Sequence, residues 1–168
     1  MRIAVTGTPG TGKTTTTELL EIDLDVVHLN DLIAEEGLSI GEDPDRGSLV
    51  ADLDAIDERL SDADDVVVES HLSHHLNVDR VVVLRCRPDV LVERLRARGE
   101  SEAKATENAD AEALDVILSE SVDRHGSDVV YEIDTTDRSP RAVASEIESV
   151  VSGERTPSAG TVDFTECL

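Results

Sequence analysis

The chain predicts a three-layer α/β fold, a five-stranded parallel sheet with helices on both faces, organised around a phosphate-binding loop. Three observations carry this. Strand-like apolar runs alternate with helical spacings along most of the 168 residues, and such alternation implies right-handed crossovers and a parallel sheet covered on both sides. Two of the runs, Val66-Val67-Val68 and Val81-Val82-Val83-Leu84, are continuous, as strands buried on both faces must be. Finally, Gly7-Thr8-Pro9-Gly10-Thr11-Gly12-Lys13-Thr14 is a complete G-x-x-x-x-G-K-T loop between a first strand, Arg2 to Thr6, and a first helix from Thr14.

The remaining elements follow in order. Asp25 to Leu29 reads as a second strand, and Asn30-Asp31 is a polar start for the helical run Leu32 to Glu36. Gly37 to Gly47, with three glycines and a proline, reads as loop. Ser48 to Leu60 returns to helical spacing, with Leu49, Leu53, Ile56 and Leu60 on one face. Val66 to Glu69 and Arg80 to Arg85 are the third and fourth strands. A helix from Pro88 to Arg98, with proline in the permitted first turn, ends at Gly99. After a polar link from Glu100 to Lys104, Thr106 to Arg124 reads as one long helix. Val129 to Ile133 is the fifth strand and Ser139 to Val151 the last helix. Residues 1–152 therefore make one domain, and the glycine, proline and polar residues of 153–168 predict a mobile tail.

Each residue type in the loop has a physical task. The glycines allow successive backbone N–H groups to turn inward around phosphates, Lys13 reaches the β- and γ-phosphates, and the Thr14 hydroxyl can ligate Mg²⁺. In an open parallel sheet ligands gather beyond the carboxyl ends of the strands. That end also carries Glu69 to His71 and the turn from Arg85 to Pro88. Glu69, closing an apolar strand, is placed to orient Mg²⁺. Arg94 and Arg98, one helical turn apart, can face the same side.

Composition narrows the class. Lys+Arg is 15 against Asp+Glu 38, a formal charge of −23. With the apolar residues falling in recognisable strands and helices, this reads as a folded protein whose surface suits concentrated salt. So negative a field argues against general binding to a phosphate backbone. Cys86 and Cys167 are too few for a disulfide scaffold. No apolar run approaches the ~20 residues of a membrane span, so no membrane contact and a soluble, cytoplasmic protein are expected. His71, His74 and His75 have metal-ligand spacing if helical, but no cysteine or fixed carboxylate pattern completes a set, and the metal reading is set aside.

The loop with its following residue, Gly7 to Thr15, is similar to the G-x-P-G-x-G-K-T/S-T loop of adenylate kinases. Asn30-Asp31-Leu32, Glu35-Glu36, Glu69-Ser70-His71, Glu93-Arg94-Leu95 with Arg98-Gly99, and Thr106-Glu107-Asn108 with Glu112 extend the likeness. Over roughly residues 1–150 the chain resembles the adenylate kinase isoenzyme 6 family, small adenylate-kinase-like ATPases of ribosome assembly, here in an archaeal halophile's form.

The resemblance implies a P-loop NTPase fold of nucleoside monophosphate kinase type. It further implies an acceptor insertion at about 30–60 and a short lid at about 99–105. It implies ATP and Mg²⁺ as cofactors, with AMP or another nucleoside monophosphate as acceptor and the ribosomal protein uS11 as partner. By the same resemblance Lys13, Arg94, Arg98 and His71 are catalytic. Gly7, Pro9, Gly10, Thr11, Gly12, Lys13, Thr14, Thr15 and Arg94 hold the nucleotide, Asn30 and Asp31 the acceptor, and Thr14 and Glu69 the metal.

Three departures stand out. The family usually has aspartate where this chain has Glu69, and often arginine where it has Ala34, for which Arg46 is a candidate substitute. This chain also lacks the arginine pair that conventional adenylate kinases place after the lid, the matching stretch carrying Asn108, Asp110 and Glu112. Two functions stay open. One is a Mg²⁺-dependent adenylate kinase, ATP + AMP giving two ADP, with ATPase activity and a link to small-subunit biogenesis. The other is a nucleotide-switched ribosome assembly factor whose kinase turnover is incidental.

Overall fold

A computed structural model describes all residues, 1–168. Its strands are Arg2–Thr6 (β1), Asp25–His28 (β2), Ser39–Glu42 (β3), Leu49–Ala51 (β4), Val66–Glu69 (β5), Arg80–Arg85 (β6) and Val130–Asp134 (β7). Its helices are Lys13–Thr17 (α1), Leu29–Glu36 (α2), Leu53–Arg59 (α3), Pro88–Ala97 (α4), Glu102–Ala113 (α5), Val116–His125 (α6) and Pro140–Ser152 (α7). Five strands pair in parallel in the order β2-β5-β1-β6-β7. This is the three-layer α/β fold of nucleoside monophosphate kinase type.

The period-two geometry of strands divides the apolar residues between two layers. Ile3 and Val5 of β1, Val67 of β5, Val82 and Leu84 of β6 and Tyr131 and Ile133 of β7 form one cluster with Val143, Ile147 and Val150 of α7. Ala4, Val81, Val83 and Val130 point the other way and meet Leu118 of α6. Val66 and Val68 meet Leu29 and Ile33 of α2 and Ile56 of α3 on that same side. Both sheet faces are thus buried, which is why β5 and β6 carry uninterrupted valines. The helix α7 has the expected punctuation: Ser139 accepts from the Ala142 N–H, Pro140 occupies the first turn, and Gly153 closes the end at φ 81°.

Four expectations need correction. Ser48 to Leu60 is not one helix: β3 and β4 form an antiparallel hairpin that takes in part of the expected loop, and α3 starts only at Leu53, where Asp52 caps it by accepting from Ala55 N–H. Asp52, the fifth residue of the run, competes for its own backbone and starts a helix there. The long helix after residue 100 is two helices, broken where Asp115 adopts φ 55°. The first of these begins at Glu102, capped by Ser101, so the link after α4 shortens to Arg98–Ser101 and Ala105 packs on Leu91 and Leu95.

The tail is the fourth. Residues 153–168 lie against the core. The Ser158 N–H donates to Val130 O (3.0 Å), the Thr161 N–H to Glu132 Oε2 (2.7 Å), and Phe164 is 9% exposed. Its ring sits 5.5 Å from the Arg85 guanidinium. Composition could not reveal these partners, because a buried glutamate on β7 supplies the acceptor.

Candidate functional site

The loop after β1 is shaped by contacts that only glycine permits. A Cβ on Gly7 (φ 146°) would stand 2.5 Å from Leu84 O, and one on Gly10 (φ 92°) would stand 2.9 Å from Leu91 Cδ1. Lys13 folds back over the loop, its Nζ donating to Gly7 O (2.8 Å) and Thr8 O (3.1 Å). Burial pushes the Lys13 ammonium down to about 8, against the pull of Glu69.

Below the loop lies a buried ionic layer. The Thr8 hydroxyl donates to Glu112 Oε2 (2.6 Å), and Glu112 Oε1 accepts from Arg85 Nε (2.8 Å). Arg85 also bonds Glu132 and Asp115. Burial opposes the charge on Arg85, but Glu112 and Asp115 hold its pKa above the ordinary arginine value. One guanidinium thus joins α5, β7 and, through Glu112, the phosphate loop.

Above the loop opens a cleft of about 880 Å³. Pro9, Gly10, Thr11, Gly12, Lys13, Thr14 and Thr15 form its floor, and Asn30, Glu69 and His71 one end. Arg94 of α4 and Arg98, the residue that caps its C-terminal end, also line it. Arg94 is braced: Nη1 reaches Thr135 Oγ1 (3.3 Å) and Gly10 O (3.4 Å), and Nη2 donates to Thr135 O (3.1 Å). His71 is pushed down to about 4, first by burial and then by Lys13, so its ring is neutral at pH 7. Glu69, 6% exposed, shares its Oε2 with His28 Nδ1 at 2.8 Å.

Most of the expected residues therefore meet in one place. Gly7 lies behind the cleft and contributes its carbonyl to Lys13 instead of a wall. Asp31 is exposed outside the cleft wall. Neither Asn30 nor Asp31 caps α2, which begins at Leu29 with His28 before it; Asn30 instead accepts from the Ser70 hydroxyl (3.0 Å). Arg46, the candidate substitute at the acceptor end, is turned away and pairs with Glu107 on α5.

Sequence reasoning missed His28, Thr135 and Arg138. The last two line the cleft from the turn after β7, whose place at a carboxyl strand end was a usable signal. His28 becomes visible only through the strand order, which sets it beside Glu69.

Oxygen donors, cations and a glycine loop at the mouth of a parallel sheet define a small P-loop protein of the nucleotide kinase class. A family model described as "AAA domain" matches residues 3–115. A protein of Natronomonas pharaonis named "Putative adenylate kinase" is 66% identical over 168 residues, all of both chains. One of the same name from Halobacterium salinarum is 61% identical over 99% of each chain, and one from Methanothermobacter thermautotrophicus 46% over 99% and 98%. The chain belongs to this archaeal adenylate kinase family. Among solved structures, shikimate kinase from Acinetobacter baumannii in complex with shikimate superposes with TM-score 0.61 at 17% identity, covering 92% of this chain and 94% of that one. Shikimate kinase from Bacteroides thetaiotaomicron gives 0.57 at 16%, over 90% and 98%. These two likenesses concern the fold.

Proposed function

We propose that the protein is a Mg²⁺-dependent adenylate kinase of the cytoplasm, transferring the γ-phosphoryl group of ATP to AMP. One observation carries the reading: Lys13 of the loop, Arg94 of α4 and Arg98 at its C-terminal end line a single cleft together with Asn30, Glu69 and His71. Phosphoryl transfer asks a protein mainly for in-line positioning and for cations on the developing charge. Lys13 and the loop N–H groups hold the phosphates, Arg94 is fixed by Thr135 and Gly10, and Arg98 stands free to follow the transferring group.

The donor set fits Mg²⁺. The Thr14 hydroxyl and the Glu69 carboxylate are hard oxygen ligands lining the same cleft. When bound, the ion neutralises charge on the β- and γ-phosphates. Glu69 still offers Oε1 while His28 holds Oε2.

A second reading rests on the acceptor end. Ala34 supplies no cation there and Arg46 is paired elsewhere, while Ile40 (70% exposed), Leu49 and Val50 present apolar surface on the β3–β4 hairpin. That combination suits an ATPase switch that grips a protein such as uS11 during assembly of the small ribosomal subunit.

A coupled assay in molar KCl with ATP and each nucleoside monophosphate separates the two. ADP formation that depends on AMP supports the kinase; AMP-independent hydrolysis stimulated by uS11 supports the switch. Lys13→Ala should lower either rate by about 10²–10³-fold, the usual cost of one preorganised charge-stabilising donor. Unchanged turnover in that variant would remove the loop from the mechanism.

A further inference from the structure

We propose that His74, His75 and Glu120 bind one divalent transition-metal ion of the zinc type, at a site separate from the nucleotide cleft. The Nε2 atom of His74 lies 2.8 Å from Glu120 Oε2, and His75 Nε2 lies 3.7 Å from the same oxygen. The three ligand atoms all fall within 4.8 Å of one another. Donors bonded to a tetrahedral ion at about 2.0–2.1 Å stand roughly 3.3 Å apart. Small side-chain adjustments therefore reach the required spacing. The carboxylate that the sequence did not reveal comes from α6, forty-five residues after the histidines in the chain.

His74 is oriented as a ligand needs to be. A ligating imidazole ordinarily has its other ring nitrogen held by a hydrogen-bonding partner. For His74, whose side chain is 1% exposed, that partner is the Thr6 hydroxyl, 2.9 Å from Nδ1. Its backbone carbonyl accepts from His125 Nε2 at 2.7 Å, fixing the turn at Ser73–His75 from a second direction. The two rings are tilted at 38° with centroids 4.0 Å apart, and the Nε2 atom of each lies within 4 Å of Glu120 Oε2. His75 and Glu120 are 33% and 46% exposed. This leaves an entry path and room for water as a fourth ligand.

Ligand type separates this site from that of Mg²⁺. Two imidazoles and one carboxylate suit Zn²⁺, Ni²⁺ or Cu²⁺, whereas Mg²⁺ takes the all-oxygen set of Thr14 and Glu69. The consequence is mechanical. Thr6 is the last residue of β1 and directly precedes Gly7, so the ion ties α6 and the Ser73–His75 turn to the strand that carries the phosphate loop.

Co²⁺ is the probe, added in molar KCl with saturating Mg²⁺ to the full chain bearing Cys167→Ser, which removes the exposed thiol. The expected result is one Co²⁺ per chain with the intense visible absorption of a four-coordinate ion, displaced by Zn²⁺, and a higher melting temperature with either metal. His75→Ala and Glu120→Gln change a half-buried and an exposed side chain, both outside the cleft. Each should weaken binding at least tenfold and leave Mg²⁺-dependent turnover as it was. Absence of stoichiometric binding, or binding that survives both substitutions, would overturn the site.

Discussion

One oxygen of Glu69 is committed to His28 and the other faces the cleft, so the carboxylate has a fixed rotamer without being used up. In metal sites such an outer hydrogen bond sets ligand direction, and its loss costs about 10–100-fold in affinity or activity. On the proposed function, His28→Ala should raise the Mg²⁺ concentration for half-maximal turnover by about that factor. The melting temperature should change little, because His28 is only half-buried. A Mg²⁺ profile identical to the parent's would show that Glu69 is oriented without it. The contrast between Glu69 and His28 also shows what a sequence discloses about a site. Glu69 was legible because it ends an apolar strand, a position with chemical meaning in any parallel sheet. His28 carries no local signal; its role arises from β2 lying beside β5, a pairing across forty-one residues that hydrophobic patterning does not encode.

Among elements, the strands were the most legible because burial on both faces leaves them no alternative pattern. The helices were less so wherever a single polar residue decides a boundary. Asp52 starts α3 late, and Asp115 in a left-handed conformation splits α5 from α6. The tail failed for another reason: its anchors are long-range. Thr161 and Phe164 close over Glu132 and Arg85, and the same guanidinium holds Glu112, which receives the Thr8 hydroxyl of the phosphate loop. Phe164→Ala should therefore destabilise the fold by about 3 kcal/mol, the lower end for truncating a buried phenylalanine, read from the denaturation midpoint at constant m-value. A tail that merely dangles would give no shift, since Phe164 would then be solvated in both states. The docked tail also predicts that this loss is accompanied by faster proteolysis after residue 153.

At the scale of the whole molecule, the question is how 38 acids and 15 bases coexist with a stable core. The deeply buried acids are partnered: Glu112 and Glu132 share Arg85, and Glu69 faces His28. Most of the others have no cationic partner and stand on the surface. At an ionic strength of 0.1 M the Debye length is about 10 Å, whereas at 1 M it is about 3 Å. Repulsion that is substantial in dilute buffer is therefore nearly extinguished in concentrated salt. Relief of even about 3 kcal/mol would raise the melting temperature of a domain this size by roughly 6–12 °C. The melting temperature is expected to climb by at least that much between 0.1 M and molar KCl. If screening is the cause, choline chloride at equal ionic strength should reproduce the rise, because a large organic cation screens charge without entering carboxylate clusters. A rise seen with potassium and absent with choline would assign the stabilisation to bound ions, and a flat profile with both would mean that the surface acids are too well solvated to repel one another.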